Sequence, residues 1–181
     1  MTERNKENFK FVWRITAAHT VAYFIAGVFS ITFFNYAELW ASEALSSFYR
    51  PLDDPFIALG TAFQLLRGII IALILLPLRK PFFEEKNGLL KLCLVIIGFS
   101  LISTIGAPWG SFESYIYTQI PLGHQLMAYP ESILYTALFI GILFIFKKFG
   151  HKKIVTILSV ISTILVCLMS VVGYMTLIGK I

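Results

Sequence analysis

Charge is scarce in this sequence. Asp, Glu, Lys and Arg make up 14% of its 181 residues, where soluble domains hold about 25%. Hydrophobic residues fill 57% of it, and one soluble core of this size could not hide that much apolar surface. Cysteine is almost missing. Cys93 and Cys167 both lie inside apolar runs, and no CxxC or Cys/His ligand spacing occurs, so zinc and redox-dithiol chemistry have no footing. There is no P-loop, no Gly-rich phosphate cradle and no HExxH. "GSFES" at 110–114 is not a GxSxG nucleophile elbow. The charged loops are too short for a nucleic-acid domain. His19 is the single histidine inside an apolar run, so a haem-ligating pair is missing too. The sequence implies no cofactor.

The apolar runs dominate what remains. A helix crossing a bilayer needs roughly 20 residues. Five segments approach this, at 11–34, 56–77, 89–106, 127–146 and 154–178. The separators are turn-like or charged: "RPLDDP" (50–55), "RKPFFEEKNG" (79–88), "GAPWGS" (106–111) and "KKFGHKK" (147–153). The fold class is all-α, a single membrane domain over 1–181 built as a bundle of five transmembrane helices. The first helix is read as uncleaved. A further helix over about 36–48 would lie in the interface, with Tyr36, Trp40, Ala44 and Phe48 on one face. Trp109, Phe112, Tyr115 and Tyr117 suit an aromatic belt or a lid.

The positive charges choose the orientation. With the N-terminus cytoplasmic, the inner segments hold Arg4, Lys6, Lys10, Arg14, Arg79, Lys80, Lys86, Lys91, Lys147, Lys148, Lys152 and Lys153, and the outer ones only Arg50 and Lys180. The positive-inside rule favours this arrangement, and five spans then put the C-terminus outside. The asymmetry and the short inner loops look bacterial, which places the chain in the cell (inner) membrane as a multi-pass protein. Its first partner is the lipid bilayer, and the Gly- and Ser-rich faces allow a homo-oligomer or a membrane-complex partner.

Polar residues within the spans are the functional signal. Thr16, Thr20, Tyr23, Gly27 and Ser30 share one face of the first helix, with His19 beside them. Gly60, Gln64, Arg67 and Gly68 share a face of the second. Ser100, Ser103 and Thr104 mark the third; Ser159, Thr163, Ser170 and Tyr174 mark the fifth. Packing between helices accounts for most of these, but not for Arg67. It lies ten residues from Pro77, roughly 15 Å deep at about 1.5 Å per residue. His19 lies roughly 12 Å deep by the same measure. The two fall at matching depth on helices expected to be neighbours.

An arginine there costs about 2.5–3.5 kcal/mol on insertion scales and needs a partner. No run has a carboxylate at its centre. Glu131, near the start of the fourth helix, is offset from Arg67 by about 9 Å along the membrane normal, within reach of a stretched bridge. Alternatively, Arg67 faces a polar cavity and a small anionic ligand, carboxylate or phosphate, completes its charge. A guanidinium suits this because its fork grips planar oxyanions and stays ionised. The predicted ligand-binding set is Arg67, Gln64, His19, Tyr23 and Glu131, in a transporter, channel or ligand-binding protein. Arg14 is expected to snorkel to the inner surface.

Two other classes stay open. A membrane-embedded enzyme could act at the outer face on a lipid-like substrate through Asp54, His124 and Glu131, although Asp54 before Pro55 reads as a helix N-cap. A structural subunit would satisfy every polar group internally. The balance is against an enzyme, and no catalytic or metal-binding residue is assigned.

Overall fold

A computed structural model describes residues 2–102 and 109–179. Their ordered elements are helical: α1 (Glu3–Phe34), α2 (Tyr36–Ala41), α3 (Pro55–Leu75), a π-helical turn (Lys80–Glu84), α4 (Gly88–Leu101), α5 (Phe112–Tyr117), α6 (Leu122–Leu126), α7 (Ala128–Phe149) and α8 (Lys153–Leu177). Among the described residues four helices are long and apolar enough to cross a membrane: α1, α3, α7 with α6 before it, and α8. The all-α expectation holds. α4 is apolar but has 14 residues, about 21 Å of helix against a hydrocarbon core of about 30 Å. The rest of the expected third span, with Ser103 and Thr104, lies outside the described residues.

α1 is the central post. Ile15, Thr16, Ala17, Ala18, His19 and Thr20 are all buried, because α3, α7 and α8 pack on three sides of it. α3 and α7 run antiparallel to α1, and α8 runs parallel to it. The crossings that show this are Glu7 with Arg79, Arg14 with Gly150, Trp13 with Ser159 and Ser170 with Ala58. α8 also packs on α3, and α4 packs on the outer side of α7. Large apolar side chains cover the outside. Phe63, Leu66, Ile70, Leu73, Ile157, Leu165 and Met169 are each at least half exposed, a surface suited to lipid and costly in water.

α1 begins earlier than its apolar run. The Thr2 hydroxyl accepts from the Asn5 N–H at 3.3 Å and Glu3 occupies the first turn, so two polar turns precede Phe11. α3 begins as its sequence suggests: Asp54 accepts from the Phe56 N–H at 2.8 Å, with Pro55 at N1. α7 starts at Ala128, two residues before Pro130, because α6 leads directly into it. Arg14 differs from its expected role. It donates to the Gly150 carbonyl at 2.7 Å, capping the end of α7 instead of reaching only for water.

The interfacial helix expected over 36–48 is cut short. α2 ends at Ala41, since Ser42 turns extended and its hydroxyl takes the Leu39 carbonyl at 2.6 Å. The chain then coils, so Leu45 is buried and Phe48 is 73% exposed. Its buried contacts come from Tyr36, Leu39 and Leu45, not from one stripe spaced every four residues. Tyr36, Trp40, Tyr49 and Trp109 stack in a cluster with neighbouring centroids 4.9–5.8 Å apart. The second long segment folds beneath it. The Gln125 side chain accepts from the Gly110 N–H at 2.8 Å and donates to Thr118 Oγ1 at 3.1 Å. Gly110 has φ 82, and a Cβ there would stand 2.4 Å from the Ala128 Cβ, so both conformation and space require glycine. The aromatic cluster thus ties the 36–54 and 109–127 segments into one cap over this end of the bundle.

Candidate functional site

Three helices build the polar centre. On α1, His19 and Tyr23 are one turn apart. On α3, Gln64 and Arg67 are neighbours on one face. On α7, Glu131, Tyr135 and Phe139 recur every four residues. The α1–α3 spacing is set by Gly68, where an added Cβ would stand 3.0 Å from the Thr16 Cα. That close approach brings Gln64, one turn earlier on α3, onto His19, three residues later on α1.

His19 is 1% exposed and bonded at both ring nitrogens. Nε2 stands 3.1 Å from Gln64 Oε1, and Nδ1 stands 2.7 Å from the Tyr135 hydroxyl. The network assigns the protons. The Gln64 NH2 donates to the Gly60 carbonyl at 3.1 Å, and Arg67 Nη1 donates to Gln64 Oε1 at 3.4 Å. A carbonyl only accepts and a guanidinium only donates, so the amide orientation is fixed. Gln64 Oε1 then accepts from His19 Nε2–H, and in the neutral imidazole Nδ1 accepts from the Tyr135 hydroxyl. The His19 ring is clamped edge-on against Tyr135, with centroids 5.6 Å apart, and against Phe139.

Arg67 is exposed, near the middle of α3. No carboxylate among the described residues lies within salt-bridge distance of it. Its Nη1 donates to Gln64 Oε1, the same atom that takes the His19 imidazole, so the guanidinium lies beside the seam between α1 and α3. α3 and α7 both pack along α1 yet scarcely touch each other.

The bridge to Glu131 allowed by helix arithmetic is not formed. The Glu131 carboxylate accepts from the Tyr36 hydroxyl at 2.6 Å. α2 turns back immediately after α1 and delivers that phenol to the start of α7. Ser30, buried, stands beside the pair. Burial, then the hydrogen bond to Glu131, hold the Tyr36 hydroxyl well above the usual phenol range. The five residues expected to form one site therefore divide. His19, Gln64 and Arg67 are joined in one hydrogen-bond network, Tyr23 lies one turn along α1 with its ring centroid 6.1 Å from that of His19, and Glu131 stands at the cap end, tied to Tyr36.

Tyr135 was missed by sequence reasoning. It sits one turn after Glu131 in an apolar run, and no local signal marks it out. A second omission is the contact between α8 and α3. The Ser170 hydroxyl donates to the Ala58 carbonyl and accepts from the Ala62 N–H at 3.0 Å, inserting into the helical ladder at one turn of α3.

The outer-face set does not converge. Asp54 caps α3 and pairs with Arg50 at 2.8 Å; those two bonds hold its carboxyl below the usual range. His124 accepts from the Trp109 indole through its backbone carbonyl at 3.0 Å, and its Nδ1 is buried without a partner among the described residues. Glu131 is engaged by Tyr36. Among the described residues no group of three or more His, Cys, Asp or Glu side chains is placed to hold a metal. Compared with protein-family models, curated proteins and solved structures, the chain finds no match.

Proposed function

We propose that this chain is a small multi-pass membrane protein that binds an anionic group, carboxylate or phosphate, in a groove between α3 and α7, which both pack on α1 with few contacts between them. Arg67 is the anchor; Gln64, His19, Tyr23 and Tyr135 are the polar wall. One observation carries the reading: a guanidinium at mid-span with a single long hydrogen bond and no carboxylate partner among the described residues. A neutral amide acceptor at 3.4 Å does not compensate a charge in a low-dielectric setting. The surrounding side chains are neutral and hydroxyl-rich, so an oxyanion would supply the only negative charge at that depth.

The proposed arrangement has five spans, α4 being the inner part of the third, with the N-terminus cytoplasmic and the C-terminus outside. The groove then has its acidic end, Glu131, towards the outside. Tyr36 has a role here. By holding Glu131 it keeps that carboxylate from Arg67 and leaves the guanidinium free for a ligand. Alternating labelling of single cysteines at the two ends, in a background lacking Cys93 and Cys167, tests the topology; both termini on one side would overturn it. For activity, proteoliposomes are assayed for uptake of radiolabelled phosphate, acetate and chloride. At least one of these should enter by a route that Arg67→Met abolishes and Arg67→Lys weakens. Uptake equal in wild type and Arg67→Met would overturn the transport form of the proposal.

A further inference from the structure

The opposite end of the bundle holds a basic cleft that Arg67 does not line. A cleft of about 820 Å³ opens between the N-terminal part of α1, the end of α7 and the start of α8. Lys10, Arg14, Arg79, Lys147 and Lys153 line it, against one carboxylate, Glu7, which is already bonded to Arg79 at 3.2 Å. Lys10, Lys147 and Lys153 have no carboxylate partner among the described residues. The walls change character with depth. Trp13 follows Lys10 by one turn of α1, and Ile157, 54% exposed, follows Lys153 by one turn of α8. Trp13 donates to Ser159 at 3.0 Å, which holds the indole in place.

We infer that this cleft binds the phosphodiester headgroup of an anionic phospholipid of the leaflet at the basic end. Cations at the mouth and apolar surface one turn deeper match an amphiphile: the phosphate meets the lysines, and the first acyl carbons lie against Trp13 and Ile157. A water-soluble phosphate would use the mouth and leave that deeper wall idle. The inference needs the membrane spans but not the anion site at Arg67.

The test uses the full chain in neutral detergent, titrated with phosphatidylglycerol, phosphatidylcholine or inorganic phosphate, with bound lipid counted by native mass spectrometry and unfolding followed thermally. Phosphatidylglycerol should bind and raise the unfolding temperature; phosphatidylcholine should do neither, and inorganic phosphate should do neither in Arg67→Met, where the proposed anion site is removed. At roughly fivefold per lysine, the triple variant Lys10→Gln, Lys147→Gln, Lys153→Gln should lose affinity about a hundredfold. The triple variant Lys80→Gln, Lys86→Gln, Lys148→Gln removes the same charge outside the cleft and should bind as wild type does. Arginine at positions 10, 147 and 153 should preserve binding. Equal loss in both glutamine variants, loss in the arginine variant, competition by inorganic phosphate at the lipid's own concentration, or no binding by the wild type would each overturn the inference.

Discussion

His19 and Gln64 form the joint of the polar centre: imidazole Nε2–H donates to the amide oxygen across 3.1 Å, between helices 45 residues apart in the chain. The same oxygen accepts from Arg67. A buried histidine and an exposed guanidinium are thus linked through one amide, and what happens at Arg67 is felt at His19 and Tyr135.

Changing that amide separates glue from ligand site. Gln64→Glu puts a carboxylate one turn from Arg67, where it would neutralise the guanidinium internally. The account expects this variant to unfold no more easily than wild type while losing anion binding. Gln64→Leu should instead cost about 1–3 kcal/mol, because His19 is left with an unmet donor in a buried position. Thermal unfolding with and without anion distinguishes them. Retained anion binding in Gln64→Glu would count against Arg67 as the anchor.

Gly68 sets the distance over which this joint works. Gly68→Ala places a methyl 3.0 Å from the Thr16 Cα and 3.1 Å from its carbonyl oxygen. Both are backbone atoms of a packed helix, so α1 and α3 must move apart. The expected cost is about 1–3 kcal/mol, as for other overpacked interiors, with the His19–Gln64 bond lengthened. Crosslinking yield between cysteines introduced on facing positions of α1 and α3 should fall. An unchanged yield and unfolding temperature would show that the spacing is set elsewhere.

Tyr36 governs the cap end. Tyr36→Phe leaves the Glu131 carboxylate without its donor and should cost about 1.5–3 kcal/mol, the range for a hydrogen bond to a charged group. Freed, Glu131 becomes a competitor for Arg67, so anion affinity should fall too. The alkaline limb gives an independent check. Burial raises both Tyr36 and Tyr49, further raised by Glu131 in each case, above the ordinary value of 10.0. The folded state therefore favours their protonated forms. That contribution is complete below pH 10.0 and is lost as pH climbs through the folded-state values. Wild type should lose unfolding temperature faster than Tyr36→Phe/Tyr49→Phe between about pH 10 and 12. Parallel curves would refute the assignment.

The sequence made the spans and the midplane group legible for different reasons. Long apolar runs and capping residues such as Asp54–Pro55 are local signals, and α3 begins where they say. Matching depth, from helical rise alone, brought His19 to Gln64 and Arg67. Glu131 was misplaced as a partner because its competitor, Tyr36, arrives through a turn: α2 stops at Ser42 for a reason that periodicity does not carry, a hydroxyl taking the Leu39 carbonyl. Tyr135 was not singled out, and Ser170 was read only as a packing hydroxyl, because their roles depend on which helices are neighbours. A phenol on α7 and a hydroxyl on α8 look like ordinary packing until α1 and α3 lie against them.

Arg67 remains the residue on which the account turns, and binding precedes any transport. The most direct measurement is thermal unfolding of the purified chain, wild type and Arg67→Met, in uncharged detergent with graded sodium phosphate, acetate or chloride at constant ionic strength. The account predicts that at least one anion raises the wild-type unfolding temperature saturably, and that Arg67→Met is indifferent to all three. If wild type and Arg67→Met respond alike to every anion, the guanidinium holds no ligand and the groove between α3 and α7 is not an anion site.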